Sequence, residues 1–288
     1  MEEKIDFYPW VYSGNGSSGE YSATPADKDF EEWLRETGKP GDFASVLNEW
    51  QKKDREEDKL NKCVFVSDGI FDYEQWNTQN LRILFILKEA YDKTEKNKDG
   101  LYAWDEPDWL MRRLNDSKKN LGVTWRRIYQ WTKAISDMYD KKDASFESVG
   151  RIGNAKDIFK RIAVINVKKT NGESASNDDD LKKHAERHSE ELLKQIKMIN
   201  PTIIVCGYTC WLLDIALKEQ EKQIVRRKRN CELWYKTKGL TGREVTVIDF
   251  WHPACRREDE TLYEEMKTCL TACENGVAEN KEENDVKE

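Results

Sequence analysis

Nothing in the sequence approaches the ~20 consecutive apolar residues that a membrane-spanning helix needs. The opening Met1-Glu2-Glu3-Lys4 lacks the basic and apolar regions of a secretory signal, so an intracellular, cytoplasmic protein with no membrane partner is expected. Histidine is scarce, with three residues, and the seven cysteines are odd in number and scattered. That pattern fits reduced thiols better than a disulfide framework. There is no internal repeat.

Against these absences stand eleven tryptophans and a charged fraction of 36%. A chain of 288 residues can bury roughly 75% of its unfolded surface, so aromatic packing under a wet surface needs no staples. The net charge of −7 argues at face value against a nucleic-acid partner, but it is unevenly placed. Residues 274–288 alone contribute −4, whereas basic pairs recur at Arg112-Arg113, Arg126-Arg127, Lys168-Lys169 and Arg256-Arg257. The densest basic run is Arg226-Arg227-Lys228-Arg229. Each alone reads as a solvated face; only a fold that gathers several would make a phosphate-binding surface.

The organisation follows from composition shifts. Residues 1–62 read as a Gly/Ser-rich arm followed by helices over Phe30–Glu36 and Phe43–Leu60. Residues 63–273 read as an α/β domain, and residues 274–288 as an acidic disordered tail. Within the domain, four short apolar runs have the character of parallel strands buried on both faces: Ile83–Leu87, Ile162–Ile165, Ile203–Cys206 and Val245–Ile248. Helical periodicity runs from Trp125 to Met138 and from Leu181 to Ile199, with Asp179 and Asp180 available as caps. Alternating strands and helices predict a three-layer α/β/α fold with a short, mainly parallel central sheet.

Ligands in such sheets bind outside the carboxyl ends of the strands. The residues following the four runs are Lys88-Glu89-Ala90-Tyr91-Asp92, Asn166-Val167-Lys168-Lys169, Gly207-Tyr208-Thr209 and Trp251-His252-Pro253-Ala254. In order and approximate spacing, these strand-end motifs resemble those of the uracil-DNA glycosylase superfamily over about residues 64–270, with Pro201 to Gly207 in the place of the P-x-I-I-x-x-L-G strand, one residue shorter and without its Leu. The match departs at the first motif, where Lys88 and Tyr91 replace the usual Gly and Pro, and at the last, where H-P-S is H-P-A. Some members of the superfamily hold an iron–sulfur cluster that begins with a C-x-x-C pair. This chain has only Cys206/Cys210 and Cys269/Cys273, spaced by three residues and read as small core hydrophobes, so no metal and no cofactor is expected.

The resemblance implies removal of a base flipped out of single- or double-stranded DNA. It assigns Glu89, with Asp92 second, to orienting water and stabilising a cationic sugar, and His252 to donating a hydrogen bond to the departing base. Asn166 would read the base edge, with Tyr91 and Trp104 lining its pocket. Lys88, Lys168, Lys169, Arg256 and Arg257 would meet phosphates. Structural alternatives stand beside each: an ion pair for Glu89, a turn for Asn166, core packing for the aromatics. His184 and His188 stand at i, i+4 with no evident third ligand, which reads as a wet helix face. The expected activity is a DNA glycosylase for uracil or a modified base, in repair or defence. A non-catalytic nucleic-acid or nucleotide binder on the same fold is the alternative, and hydrolysis of a free nucleoside or nucleotide a third.

Overall fold

The computed structural model describes residues 30–57, 65–91, 103–115, 121–142, 145–146, 155–172, 176–217, 227–229 and 232–274. The amino-terminal arm, Asp92 and the acidic tail lie outside these residues, as does the side chain of Tyr91.

The apolar runs form the centre of a nine-stranded mixed sheet. Ile83–Tyr91 is β3, Ile162–Gly172 is β5, Ile203–Gly207 is β6 and Val245–Phe250 is β9. These four are mutually parallel in the order β5-β3-β6-β9. Antiparallel strands extend the sheet at both sides: β8 (Glu232–Thr237) and β7 (Arg227–Arg229) beyond β9, and β1 (Phe65–Ser67) beside β5. Strand β4 (Ala103–Asp105) runs parallel to β1, and the two-residue β2 (Gly69–Ile70) pairs with β5.

Period-two alternation sends successive side chains of each central strand into different clusters. Leu84 and Ile86 of β3 join Ala163, Ile165, Ile204 and Val247 in one, whereas Ile83, Phe85 and Leu87 join Ile162, Val164, Val205 and Ile248 in the other. The first cluster takes in α7 (Asp178–Arg187), α8 (Ser189–Ile199) and α9 (Cys210–Leu217). The second takes in α4 (Glu106–Asn115), α5 (Val123–Tyr139), α6 (Ala155–Phe159) and α10 (Asp259–Glu274). A short α3 (Tyr73–Thr78) is capped by Asp72, which accepts from the Gln75 N–H.

The amino-terminal helices α1 (Phe30–Glu36) and α2 (Gly41–Glu57) put Trp33, Leu34, Phe43, Leu47 and Trp50 into the first cluster. They share the core of the α/β region rather than trailing from it. None of the helices among the described residues is long and apolar enough to cross a membrane.

Two expectations are corrected. β3 and β5 run past their apolar stretches to Tyr91 and Gly172, so the polar residues placed after them lie within paired strands, with Glu89 opposite Lys168. The helix expected over Leu181–Ile199 is two helices that meet at His188, whose φ of −104° and ψ of 22° leave the helical values. Asn177, not Asp179 or Asp180, caps the first, its side chain accepting from both of their N–H groups.

Candidate functional site

Going from β3 the chain moves to one side for β5 and to the other for β6. This reversal is the topological switch point beside which open α/β sheets bind ligands. Three residues come together there: Lys88 of β3, beyond its last pairing with β6, Tyr208 after β6 and His252 after β9.

Their placement is local chemistry. Gly207 lets the turn after β6 close, since a Cβ there would lie 2.9 Å from Leu87 Cδ2 and 3.0 Å from Pro253 Cδ. Tyr208 then adopts a left-handed backbone, with φ of 59°. Its N–H donates to the Cys206 and Phe250 carbonyls at 2.9 and 2.7 Å, and Thr209 Oγ1 donates to the Ile86 carbonyl at 2.7 Å. The Tyr208 ring is 53% exposed, the most of any large hydrophobic side chain described, and Lys88 Nζ lies 5.0 Å from its centre.

His252 is half-buried, and its Nδ1 accepts from the Ala254 N–H at 3.1 Å. The neutral ring therefore carries its proton on Nε2. Burial, and then the charge of Lys88, push its pKa down to about 4. At neutral pH His252 is an uncharged imidazole with its proton on Nε2.

The loop after His252 is held by a residue that the sequence disguised as half of a basic pair. Arg127 is buried, and its Nη1 donates to the carbonyls of Pro253 and Cys255 at 2.9 and 2.6 Å. Its Nη2 donates to the Arg257 carbonyl, and its Nε pairs with Asp259 at 2.7 Å. Arg256 is exposed beside this loop. Arg257 lies over the Trp251 ring at 4.5 Å and is paired to Glu265.

The remaining expected site residues divide. Glu89 stands on β3 with Oε2 2.9 Å from Lys168 Nζ, and Lys168 also reaches Asp180 at 2.6 Å. Burial opposes the charge on Lys168, but its bonds to Asp180 and Glu89 outweigh that and raise its pKa. A side chain at Gly172 would collide with Glu89, so the glycine makes room for the pair. Lys88 reaches Asp178 at 3.3 Å. Lys168 and Lys88, both expected to meet phosphates, thus each have acidic partners within the chain.

Lys169 and Asn166 sit elsewhere, in a buried polar network. Lys169 is fully buried, with Nζ 2.6 and 2.5 Å from the two Asp68 oxygens and 4.7 Å from the Trp50 ring centre, so it cannot meet a phosphate. Asn166 is 1% exposed; its N–H donates to Asp68 at 2.7 Å and its Nδ2 to Glu106 at 2.8 Å. It braces the sheet rather than facing the crevice. Alongside, Asp105 pairs with Lys39 and accepts from Ser67 Oγ at 2.8 Å. Trp104, on β4, packs against Trp109 with the rings tilted and their centres 5.8 Å apart, three strand positions from β3.

Glu106 carries a measurable signature. Burial, then the negative charge of Asp68, push its carboxyl pKa from 4.5 up to about 8. The folded protein keeps a proton there that the unfolded chain releases above 4.5. This contribution to stability is therefore complete below 4.5 and is lost as the pH rises towards about 8. A few kcal/mol is involved, at about 1.4 kcal/mol per pKa unit. Glu106→Gln keeps an acceptor for Asn166 and removes the titration, so its unfolding midpoint in urea should vary less across that range than the wild type's. Parallel pH profiles for the two proteins would overturn the assignment.

His184 and His188 are corrected as well. Both are buried, not on a wet face, and Asp54 of α2 lies between them. His188 Nε2 is 2.7 Å and His184 Nδ1 3.9 Å from Asp54 Oδ1. The signal missed was long-range: Asp54 lies more than a hundred residues from its partners, in a helix that reads as an extension.

No protein-family model matches the chain, and no curated protein matches it.

Proposed function

We propose that the chain is a DNA glycosylase that hydrolyses the N-glycosidic bond of a flipped uracil or modified base, on a three-layer α/β/α fold of the uracil-DNA glycosylase type. The observation that carries this reading is His252: a neutral imidazole with Nδ1 occupied and Nε2–H left to donate, beside an exposed tyrosine at the sheet's switch point. The helix-bearing clusters served by alternate residues of the four parallel strands support the layered fold.

A base drawn out of the stack would lie on the Tyr208 ring, an interaction worth about 1–3 kcal/mol. As the bond to the sugar breaks, negative charge builds on a base oxygen, and His252 donates to it through Nε2. Lys88, whose partner Asp178 is exposed, adds positive charge near that oxygen or a neighbouring phosphate. Glu89 gives the negative charge facing the sugar. Lys168 holds its Oε2, leaving Oε1 to orient the attacking water. Arg256, exposed on the loop that Arg127 pins, would follow the DNA backbone.

A second reading, a binder or sensor of nucleic acid or nucleotide without catalysis, is favoured by one observation. The Glu89 carboxylate is nearly buried in its pair with Lys168, which blunts it as a base. The deciding experiment is base release from single- and double-stranded DNA carrying uracil or modified cytosines, with wild type, Glu89→Gln and His252→Ala run together. Release of free base that both substitutions cripple is the expected result. Retained binding with no release from any of these substrates would replace the glycosylase reading with the binder.

A further inference from the structure

We propose that Asp54, His184 and His188 form a binding site for one divalent transition-metal ion of the zinc class, joining α2 to the junction of α7 and α8. The site lies apart from Tyr208 and His252, and Asp180 links it to the Lys168–Glu89 pair. Two imidazoles and a carboxylate are a donor set suited to zinc, cobalt or nickel. A donor atom from each of the three lies within 4.8 Å of the others. Ligands of a tetrahedral zinc stand roughly 3.3 Å apart, given metal–ligand bonds of about 2.0–2.1 Å. The observed separations of 2.7 and 3.9 Å to Asp54 Oδ1 bracket that spacing.

The hydrogen bonding of the cluster points to a missing partner. All three residues are more than nine-tenths buried. Yet Asp54 Oδ2, His184 Nδ1, His188 Nδ1 and the neighbouring Glu191 Oε2 are buried polar atoms with no hydrogen-bond partner. Such groups are costly to bury unpaired. An ion accounts for all four. It takes the Asp54 carboxylate and His184 Nδ1 directly. Taking His188 Nε2 as well moves that ring's proton to Nδ1, which faces Glu191 Oε2 at 3.9 Å.

The surroundings repeat a recurrent feature of metal histidines, in which the far ring nitrogen meets a carboxylate. His184 Nε2 faces Asp180 Oδ1 at 3.8 Å, and His188 Nδ1 faces Glu191. Glu191 is itself steadied by Lys53 at 2.6 Å. Trp50 stacks on His188, with ring centres 4.8 Å apart, and fixes its plane. The opposing charges are Arg187, partly exposed and 3.9 Å from Asp54 Oδ1, and Lys168, which is paired to Asp180 and Glu89.

The test uses the full chain, stripped with chelator and then given zinc or cobalt chloride alone. Zinc should be retained through dialysis at one ion per chain and raise the melting temperature by about 5 °C or more. Cobalt should give the d–d absorption of nitrogen and oxygen ligands without a thiolate charge-transfer band. His184→Gln, at the more accessible side of the site, should abolish both effects while folding normally. His252→Ala should keep them, which separates this site from the crevice. Three results would each overturn the proposal: no retained zinc with no thermal shift, a cobalt–thiolate band, or undiminished binding in both His184→Gln and Asp54→Asn.

Discussion

Asp68→Ala will destabilise the protein by about 3–5 kcal/mol, the range for removing one partner of a buried ion pair. Asp68 and Lys169 are both fully buried, and Asp68 also accepts from the Asn166 N–H and from Gln195 Nε2. Without it, Lys169 keeps an ammonium in a site where burial already lowers its pKa despite the Asp68 charge. The ammonium must lose its proton or admit water. A second substitution, Lys169→Met, should recover part of the loss, because two apolar groups in place of a buried pair are often tolerated. Urea unfolding of the two single variants and the double variant gives the coupling directly. A loss under about 1 kcal/mol in Asp68→Ala, or strictly additive effects, would show that the pair is not what holds β1, β5 and α8 together.

His252→Ala should lower base release by about 10²- to 10³-fold, the cost of losing one donor to a developing anion. Substrate affinity should change far less, since the Tyr208 ring and the basic loop remain. The pH profile gives an independent check. With the His252 pKa pushed down to about 4, no inflection from this ring should appear between about pH 6 and pH 7, where an ordinary histidine titrates. Lys88→Met should move that pKa upward, because the Lys88 charge is the second cause of the depression after burial. Proton titration followed by NMR would read it in both proteins. A wild-type value near that of a free histidine would remove the neutral donor from the mechanism.

Much of the architecture was legible because its signals are local. Four β-branched runs of four or five residues announced β3, β5, β6 and β9, and the spacing of Trp125, Ile128, Trp131 and Ile135 announced α5. Period and composition stop where pairing takes over. Glu89 and Lys168 read as loop residues because they are charged, yet each neutralises the other across β3 and β5 and the strands continue. The break at His188 was hidden for the same reason: the apolar period of Ala185, Leu192 and Ile196 passes straight over it. Short strands such as β1, β2 and β4 gain their order from neighbours and carry almost no pattern of their own.

The site was legible by position more than by role. His252 and Lys88 stand out in the sequence because each comes just after the apolar run of a parallel strand, and the structure brings both to one crevice. Tyr208 shares that position but had no role, since nothing in Gly-Tyr-Thr announces a ring held outward. Asn166 and Lys169 come after such a run too, but their partners Asp68 and Glu106 belong to segments far away in sequence. Arg127 needed the fold itself, because only the packing of α5 under the His252 loop distinguishes it from exposed Arg256.

The backbone at Tyr208 sets stability and recognition against each other. An L-residue in the left-handed region costs about 1–2 kcal/mol that glycine does not incur. A chain selected for robustness alone would carry glycine at this position. A tyrosine there gives up stability for an aromatic side chain placed at the mouth of the sheet by a backbone already set before any ligand arrives. Attempts to harden this protein by relieving local strain would therefore find an easy gain at residue 208, and it would come at the expense of whatever the crevice holds.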